Sequence, residues 1–461
     1  MQEVLSNGCA GHTRETCDNL RGMHPPGKGT AGHAPSVPQV RITPKQAQRS
    51  LFVAAGRKRA SEDCFGWSAS LLVPLRGQKK RGRFIPFIHQ IARLVARIAS
   101  AEVPPLFGHI LTCGDLVALH KLDAAQQAEA AAANKPPSLR PVNKGCNILK
   151  WALKLAVRSG PALAAARKLE PLQSGLAKRG PEAFCHSLRA LREQGYAILK
   201  TDFRNGFNAI SRQAVLDAVQ RLCPELTALM NLFYTVDGAC FFAVDGVVEV
   251  ILSAEGVRMG CPLGSFGFDL ALQAVLERCA ARNAGIVVRS LTDDCNLAVQ
   301  LPSDPAEADA TLVSLHGALE ELAADAKDAL DLDLNLGKCA LLLPPGHVAA
   351  PDGFSGMEVS ARGMKVAGAP IGNDDFCAEF VGQRVDAALA KIRALRGLHP
   401  QVGMMLLRMC CLPQLNYLAQ VVPPSGEFPH STTLRALRRG RRSLRAGAAD
   451  AARPCETGML R

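Results

Sequence analysis

Three aspartates in two short segments carry the clearest chemical signal in this chain. Asp202 follows an apolar, β-compatible run at residues 197–201, and Asp293 and Asp294 lie between two further apolar runs. Short runs of this kind, bounded by polar residues, are typical of strands. We therefore expect a strand that ends at Asp202 and a tight hairpin with Asp293 and Asp294 at its tip.

Carboxylates at the ends of neighbouring strands could bridge two hard cations. Mg²⁺ prefers oxygen ligands, and two ions about 3.5–4 Å apart hold the attacking and leaving oxygens of a phosphoryl transfer in line. Such catalysis depends mainly on positioning and charge neutralisation. Because an Asp-Asp pair is also common in ordinary turns, the doublet alone does not identify a metal site.

Further blocks in a fixed order make the metal-site hypothesis specific. They occupy residues 63–68, 119–121 with 140–145, 172–175 with 180–186, 202–212, 253–264, 291–294, 334–339 with 366–372, and 406–413. In this order the blocks resemble the reverse transcriptases of non-LTR (LINE-type) retrotransposons. The resemblance runs from about residue 63 to about residue 424.

The resemblance implies an α+β fold: a polymerase right hand whose palm is a mostly antiparallel sheet with helices on one face. Residues 61–195 would form an N-terminal extension and the fingers, 196–375 the palm, and 376–424 the start of a helical thumb. Residues 1–60 are rich in Gly, Pro and polar residues, and we expect a disordered tail. The basic, low-complexity residues 425–461 are expected to be a solvated helix or an artefact of the gene prediction.

Apolar periodicity adds local predictions. The spacing of Ile, Leu and Val predicts an amphipathic helix at 84–101, and a leucine stripe predicts another at 305–330. The Ala-rich residues 124–135 are expected to be an exposed helix or loop.

The resemblance also assigns roles in catalysis. Asp202 and Asp293 would be metal ligands together with the backbone carbonyl of Phe203, and Asp294 a supporting carboxylate. Lys338 would donate a proton to the leaving pyrophosphate, although a solvated loop lysine is the alternative. The implied cofactor is two Mg²⁺ ions, with Mn²⁺ as a substitute.

A second set of residues would bind the incoming nucleotide, namely Phe207, Arg140, Lys144, Met259 and Gly260. Phe207 would lie under the sugar and exclude a ribose 2′-hydroxyl, and Gly260 would let the backbone approach closely. Arg140 and Lys144 would hold the triphosphate. The alternatives are a core aromatic, a turn glycine and solvated basic side chains.

Four positions depart from the family pattern. Met259 and Cys261 flank Gly260 where the family usually has Gln and Asp, and Met offers no amide hydrogen bonds. Leu291 replaces the usual aromatic residue, and Gly206 the usual Ala. None of these changes removes a metal ligand, but they are what a decaying copy of an element would accumulate.

Two functions therefore compete. The first is an RNA-directed DNA polymerase that adds dNTPs to a primer on an RNA template, and the second is a decayed relic that at most binds nucleic acid. A viral RNA-templated RNA polymerase ranks third, because Phe207 disfavours ribonucleotides. No nuclease constellation is present, so we expect any associated endonuclease on sequence outside this chain.

Composition agrees with a nucleic-acid partner. The net charge is +13, from 54 Lys and Arg against 41 Asp and Glu, which favours attraction to phosphate backbones. The sixteen cysteines include no C-x-x-C pair and suggest a reducing, intracellular location. A basic cluster at 79–83 would suit a nuclear address, and a cytoplasmic ribonucleoprotein is the alternative. No apolar stretch is long enough to predict a membrane partner.

Overall fold

The computed structural model describes residues 8–55, 62–68, 86–122, 124–347, 349–395 and 397–423. The chain divides into two compact units that alternate along the sequence. The first comprises Met1–Gly180, Thr201–Leu297 and Val313–Lys338, and the second Pro181–Lys200, Ala298–Leu312 and Cys339–Arg461. Every predicted site residue belongs to the first unit.

Helices form the larger part of both units. They are α1 (Arg14–Gly22), α2 (Pro44–Ala55), α3 (Pro86–Ala99), α4 (Pro105–Thr112), α5 (Ala124–Ala132), α6 (Asn147–Ala156), α7 (Gly160–Lys168), α8 (Gly180–Glu193), α9 (Gly206–Ala209), α10 (Arg212–Leu222), α11 (Thr227–Tyr234), α12 (Pro262–Arg282), α13 (Pro305–Leu330), α14 (Asp374–Ala394), α15 (Pro400–Leu406) and α16 (Leu412–Val421). Among the described residues, no helix is both long and apolar enough to cross a membrane.

The strands are short. They are β1 (Gly114–His120), β2 (Leu139–Gly145), β3 (Tyr196–Lys200), β4 (Gly238–Val244), β5 (Val247–Ser253), β6 (Ile286–Leu291), β7 (Asp294–Gln300), β8 (Ala340–Leu342), β9 (Glu358–Ser360), β10 (Gly363–Val366) and β11 (Ala369–Gly372). The chain is therefore a mixed α+β protein, as predicted.

A four-stranded sheet in the first unit has the order β2-β1-β4-β5. β1 pairs with β2 antiparallel and with β4 parallel, and β4 pairs with β5 antiparallel. Helix α1 covers one face, where Cys17 and Leu20 pack with Leu116, Phe242 and Ile251. The opposite face carries the predicted triphosphate-binding residues of β2, because successive side chains of a strand alternate between faces.

The predicted disorder of residues 1–60 is wrong for residues 8–55. This segment contains α1 and α2, and the hydroxyl of Thr13 caps α1 by accepting the Thr16 N–H at 3.2 Å. Cys17 and Leu20 are fully buried. A few apolar residues at helical spacing are enough here, because a sheet face formed by distant residues receives them.

Helix α12 is largely buried within the first unit. Its buried residues lie on every side, as expected of a helix within a core. Its Pro262 stands at the first helical position, so the loop that ends at Cys261 leads directly into the core. A rigid helix therefore fixes the end of the loop that contains Met259 and Gly260.

Two local helix predictions are confirmed, and for the Ala-rich segment the structure chooses the helix of the two predicted alternatives. The helix expected at 84–101 is α3, and the one expected at 305–330 is α13. Leu315, Leu319 and Leu322 of the predicted stripe are almost completely buried. The Ala-rich segment forms helix α5.

The second unit combines short strands with helices. β3 pairs with β8 antiparallel, β8 pairs with β9 parallel, and β10 and β11 form an antiparallel pair. Residues 374–395 and 399–421 are largely helical, and Ile392, Leu395, Leu407 and Cys411 form a small core. The basic residues 425–461 and the cluster 79–83 lie outside the described residues.

Candidate active site

The two aspartate segments are joined by backbone hydrogen bonds. The N–H and the hydroxyl of Thr201 both donate to the carbonyl oxygen of Cys295, at 2.9 and 3.2 Å. Thr201 precedes Asp202, and Cys295 follows Asp294. The structure therefore brings together two predicted carboxylate segments that are some ninety residues apart in sequence.

A second contact holds Asp202 from the other side. Phe203 forms an isolated antiparallel bridge with Leu334, and the Asn335 N–H donates to the Asp202 carbonyl oxygen at 2.7 Å. The residues that flank the bridge make its hydrogen bonds, so these bonds leave the Phe203 carbonyl outside the pairing. This position suits the predicted use of that carbonyl as an oxygen ligand.

The carboxylate of Asp202 has polar neighbours. Its Oδ2 lies 3.3 Å from Nδ2 of Asn335, which donates to it, and 3.9 Å from Nζ of Lys338. The Asp202 and Lys338 side chains are 35% and 54% exposed. The structure thus places the predicted proton donor beside a predicted metal ligand, at a site open to solvent.

Asp293 is held in a different environment. It lies in the two-residue turn between β6 and β7, after Thr292, whose φ of 58° is in the left-handed region. Desolvation raises the pKa of Asp293 to about 6, and the charges of Asp294 and Asp202 contribute to the rise. The positive charge of Arg140 opposes it. The turn therefore concentrates negative charge that no nearby cation fully compensates.

Basic side chains surround the aspartates. Desolvation lowers the pKa of Lys121, and the charges of Lys338 and Arg140 lower it further, whereas Asp202 raises it. These charges therefore act over short distances on one another. Arg140, on β2, is exposed, as a residue that receives a charged ligand must be.

Lys144 is oriented differently from Arg140. Its Nζ lies 3.9 Å from Oδ2 of Asp115, its partner across the β1–β2 pair. Lys144 projects from the same face of β2 as Arg140, because alternate residues of a strand share a face, and Asp115 lies opposite it on β1. Lys144 therefore already has a counter-charge, whereas Arg140 acts on Asp293.

Phe207 lies on the short helix α9 after Asp202. Its half-buried ring stacks on the buried ring of Phe268, with centroids 4.8 Å apart and planes within 6°. Its carbonyl oxygen accepts the Val257 N–H at 2.7 Å. The ring is thus fixed by packing and its backbone by the loop that contains Met259, which suits either a core aromatic or a rigid wall beside a sugar.

Gly260 has a φ of 95° and an exposed surface. A side chain there would be strained, and its Cβ would lie 3.4 Å from the carbonyl oxygen of Asn143 on β2. Met259 and Gly260 line a small cavity together with Asn143, Lys150 and Cys261. The structure therefore places the two predicted nucleotide residues next to the strand that carries Arg140.

A buried arginine, to which the sequence motifs assign no role, holds this loop. Arg212, 1% exposed, donates from its guanidinium to the carbonyl oxygens of Ser253, Glu255 and Gly256. The carboxylate of Glu255 accepts the Arg212 N–H. Desolvation and the nearby charge of Arg258 lower the pKa of Arg212 to about 10. Arg212 and Glu255 lie in two of the recognised blocks, but only their contacts show that they tie the blocks together.

Two further residues lie near Asp293: Gln173, which belongs to the block at 172–175 but had no predicted role, and Asp269, which lies outside the blocks. Gln173 is buried and binds the backbone of Thr292 through its side chain. Asp269, within α12, is 1% exposed, and desolvation together with the charge of Asp293 raises its pKa well above the ordinary value. Both contact the turn from segments distant in sequence.

The donor set determines which metal would fit. Within the described ranges, no three His, Cys, Asp or Glu side chains form a group that could enclose a metal ion. Mg²⁺ is usually bound through one or two carboxylates, with waters and substrate phosphates completing its shell. Asp202 and Asp293 offer oxygen ligands of this number, and the raised pKa of Asp293 indicates negative charge that a cation would neutralise. The residues therefore fit a Mg²⁺ site shared with a phosphate substrate.

Every cysteine of the described residues is a free thiol. Desolvation raises the pKa of several of them, to about 12 for Cys64, Cys223 and Cys295. Thiols of this kind are poor nucleophiles and poor metal ligands.

The chain is similar in sequence to a retrotransposon protein. It is 27% identical over 250 residues to the 132 kDa protein of the retrotransposable element SLACS from Trypanosoma brucei gambiense. The match covers 53% of this chain and 19% of that protein, so the chain corresponds to about a fifth of its length. No protein-family model matches the chain.

Solved telomerase structures share a limited likeness. Apo telomerase from Candida tropicalis, truncated from its C-terminal domain, is 10% identical with a TM-score of 0.36, over 57% of this chain and 54% of that one. Telomerase from Candida albicans, in complex with a fragment of telomeric RNA, is 10% identical with a TM-score of 0.40, over 75% of this chain and 56% of that one.

Proposed function

We propose that this chain is the RNA-directed DNA polymerase, or reverse transcriptase, domain of a non-LTR retrotransposon. The observation that carries the proposal is the joining of the Asp202 and Asp293 segments through Thr201 and Cys295. The order of the motifs and the similarity to a retrotransposon protein support it. Within this proposal, residues 61–195 form the N-terminal extension and the fingers, residues 196–375 form the palm, and residues 376–424 begin the thumb.

The reaction is a nucleotidyl transfer. The 3′-hydroxyl of a DNA primer loses its proton to water, its oxygen forms a bond to the α-phosphorus of a dNTP, and the bond from that phosphorus to the pyrophosphate oxygen breaks. Two Mg²⁺ ions, held by Asp202, Asp293 and the Phe203 carbonyl, would neutralise charge that develops on both oxygens. Asp294 supports the site beside Asp293. Lys338, whose Nζ lies 3.9 Å from Asp202 Oδ2, would give a proton to the departing pyrophosphate.

The nucleotide would lie between β2 and the loop that precedes α12. Arg140 and Lys121 supply positive charge for the triphosphate, with Lys144 beside them on β2. Phe207 forms a rigid wall against the sugar, since its ring is fixed on Phe268. Gly260 allows the backbone to approach the base pair.

Primer extension tests the proposal. The purified chain is given oligo(dT) annealed to poly(rA), millimolar Mg²⁺ and either dTTP or UTP, and compared with Asp293→Ala. Asp328→Ala is the matched control, because Asp328 is an exposed carboxylate on α13. We expect extension with dTTP by the wild type and the control, little with UTP, and none by Asp293→Ala. Absence of extension by the wild type with either Mg²⁺ or Mn²⁺ would refute the proposal.

A substitution of Phe207 tests whether its ring excludes nucleotides that carry a ribose 2′-hydroxyl. Phe207→Val replaces the ring with a smaller side chain and leaves room for a ribose 2′-hydroxyl. We therefore expect UTP incorporation to rise about ten- to a hundred-fold relative to dTTP. Phe87→Val is the control, because Phe87 is half-exposed on α3. An unchanged ratio of UTP to dTTP would show that Phe207 is only a core aromatic.

A non-catalytic relic that binds nucleic acid is the second candidate. Met259 and Cys261 favour it, because they line the cavity beside Gly260 where amide and carboxylate groups would be expected. Salt-dependent RNA binding without metal-dependent synthesis would support this function. Primer extension by Met259→Gln, compared with the wild type, then measures whether the missing amide limits the rate of synthesis.

The partners implied by the proposal are an RNA template, a DNA primer and dNTPs. A nuclear location, or one in a cytoplasmic ribonucleoprotein, stays a prediction, as does an endonuclease on sequence outside this chain. The net charge of +13 supports a nucleic-acid partner through electrostatic attraction to phosphates.

A further inference from the structure

Gln173 is a buried glutamine, 1% exposed, whose side chain contacts the turn that presents Asp293. Its Oε1 accepts the backbone N–H of Thr292 at 2.7 Å and that of Gly175 at 2.9 Å. Its Nε2 donates to the Thr292 carbonyl oxygen at 3.2 Å and to Ser290 Oγ at 3.3 Å. One side chain therefore binds both polar backbone groups of the residue before Asp293.

The orientation of this amide follows from its partners. Two backbone N–H donors converge on one side-chain atom, and only the amide oxygen can accept both. The opposite atom faces the Thr292 carbonyl oxygen and a hydroxyl, both of which accept from an N–H. Gln173 is thus a chemical match for the turn, which an acid, an alcohol or an aliphatic side chain would not be.

Thr292 needs this support because of its conformation. Its φ of 58° lies in the left-handed region, which β-branched residues adopt rarely and at a cost in energy. The left-handed residue reverses the chain between β6 and β7 and so sets the direction of Asp293. Without the two bonds from Gln173, the backbone would be freer to relax towards an ordinary conformation.

The backbone around Gln173 is itself fixed to β6. Gln173 and Ser290 form a parallel bridge, in which the Ser290 N–H donates to the Leu172 carbonyl oxygen at 2.7 Å. The Ser174 N–H donates to the Ser290 carbonyl oxygen at 2.8 Å. The glutamine is therefore attached to the strand whose end it holds.

The same segment fits closely against the turn at Gly175. A Cβ at Gly175 would collide with the Asp269 carboxylate and with the Thr292 hydroxyl. The backbone at Gly175 therefore packs against Asp269 and Thr292 with no room for a side chain. Segment and turn therefore form one rigid structure.

We propose that Gln173 is a positioning residue that holds Thr292 in its left-handed conformation and thereby fixes the position of the Asp293 carboxylate. The consequence for catalysis rests on the proposed function, whereas the consequence for the turn does not. A displacement of about 1 Å at a catalytic group can cost about a hundred-fold in rate. Gln173 accordingly acts through Asp293 and makes no contact with substrate.

The experiment compares three variants with the wild type. Gln173→Ala removes the amide. Gln273→Ala is the matched control, because Gln273 is an equally buried glutamine, 3% exposed, whose Nε2 donates to Glu277 and not to Thr292. Gln173→Ala combined with Thr292→Gly replaces the strained residue with one that adopts positive φ freely.

Two readouts are measured for each variant. Steady-state primer extension gives kcat and KM for dTTP, and hydrogen exchange gives the protection of the Thr292 and Asp293 amides. We expect Gln173→Ala to lower kcat about ten- to a hundred-fold with little change in KM, and to speed exchange at Thr292. The glycine double variant should recover at least about ten-fold of that loss, and Gln273→Ala should retain the wild-type kcat.

The outcomes separate this inference from the proposed function. If the wild type does not extend primers, the proposed function fails, and amide exchange still decides whether Gln173 holds the turn. Unchanged exchange at Thr292 in Gln173→Ala would overturn the inference. An equal loss of kcat in Gln273→Ala, or a double variant no faster than Gln173→Ala, would also overturn it, because either result would indicate a merely structural role.

Discussion

Asp202 and Asp293 have the same predicted role but different surroundings. Asp202 is partly exposed, and Asn335 and Lys338 lie within 4 Å of its carboxylate. Asp293 follows a strained threonine, and desolvation raises its pKa to about 6. Asp202 thus has an amide and a lysine beside its carboxylate, whereas the negative charge of Asp293 is opposed only in part, by Arg140.

This difference in surroundings suggests that the two aspartates have different functions at the site. Asp202 belongs to an open edge, where substrate, water and Lys338 can reach it. Asp293 belongs to a rigid turn, and its charge is unfavourable in the metal-free protein. We infer that the Asp293 side supplies fixed geometry and affinity for a cation, and that the Asp202 side supplies access and proton transfer.

The largest expected effect is common to both carboxylates. Asp202→Asn and Asp293→Asn should each lower the rate of dTTP incorporation by more than about a thousand-fold, because metal neutralisation is worth several kcal/mol. Single-turnover primer extension measures this loss. A variant that kept a tenth of the wild-type rate would show that its carboxylate is not a metal ligand.

Lys338 should have a smaller effect, confined to the Asp202 side. Lys338→Ala should lower kcat about a hundred-fold, the usual contribution of a general acid, with a weaker effect on KM. Lys168→Ala, which removes an exposed lysine at the end of α7, is the control. An equal and small change in both variants would make Lys338 an ordinary surface lysine.

The pH dependence of kcat/KM should follow the ionisation of Asp293. Because the pKa of Asp293 is raised to about 6, its metal-binding form is lost as pH falls through that value. At limiting Mg²⁺, kcat/KM should therefore fall about ten-fold for each pH unit below about 6. Saturating Mg²⁺ should shift this midpoint lower, since the cation competes with the proton. A profile flat down to pH 4.5 would contradict the assigned environment of Asp293.

Local sequence patterns predicted the elements that carry the carboxylates. The strand before Asp202 is β3, and the hairpin around Asp293 and Asp294 is β6 and β7. These predictions succeed because each depends on a run of neighbouring residues with one apolar pattern. The same holds for the leucine stripe of α13.

The residues that support the site were not predictable in this way. The bonds from Gln173 to Thr292 span 119 positions, and Asp269 is buried by the packing of α12. A glutamine in a loop and an aspartate in a helix are unremarkable until their partners are known. The helix α1 was missed for the same reason, because the sheet that buries Cys17 and Leu20 is formed by distant strands.

The free energy of unfolding, measured with and without Mg²⁺, tests the contrast between the two carboxylates most directly. A folded-state pKa raised from 3.8 to about 6 means that the charged form of Asp293 destabilises the fold above pH 6, and that this penalty is absent below the unfolded value of 3.8. At neutral pH without metal, Asp293→Asn should therefore be more stable than the wild type by about 2–3 kcal/mol. Asp328→Asn, on the exposed face of α13, should leave stability unchanged.

Millimolar Mg²⁺ should then stabilise the wild type, because a cation that binds the folded state adds to its stability. Asp293→Asn has lost a ligand and should gain less, so the difference in free energy of unfolding between the two proteins should become smaller. Urea unfolding of wild type, Asp293→Asn and Asp328→Asn at neutral pH gives all the required values. Equal stabilisation of the three proteins by Mg²⁺, or no gain in stability for Asp293→Asn without Mg²⁺, would contradict the proposal that Asp293 is a half-buried charge that a bound cation compensates.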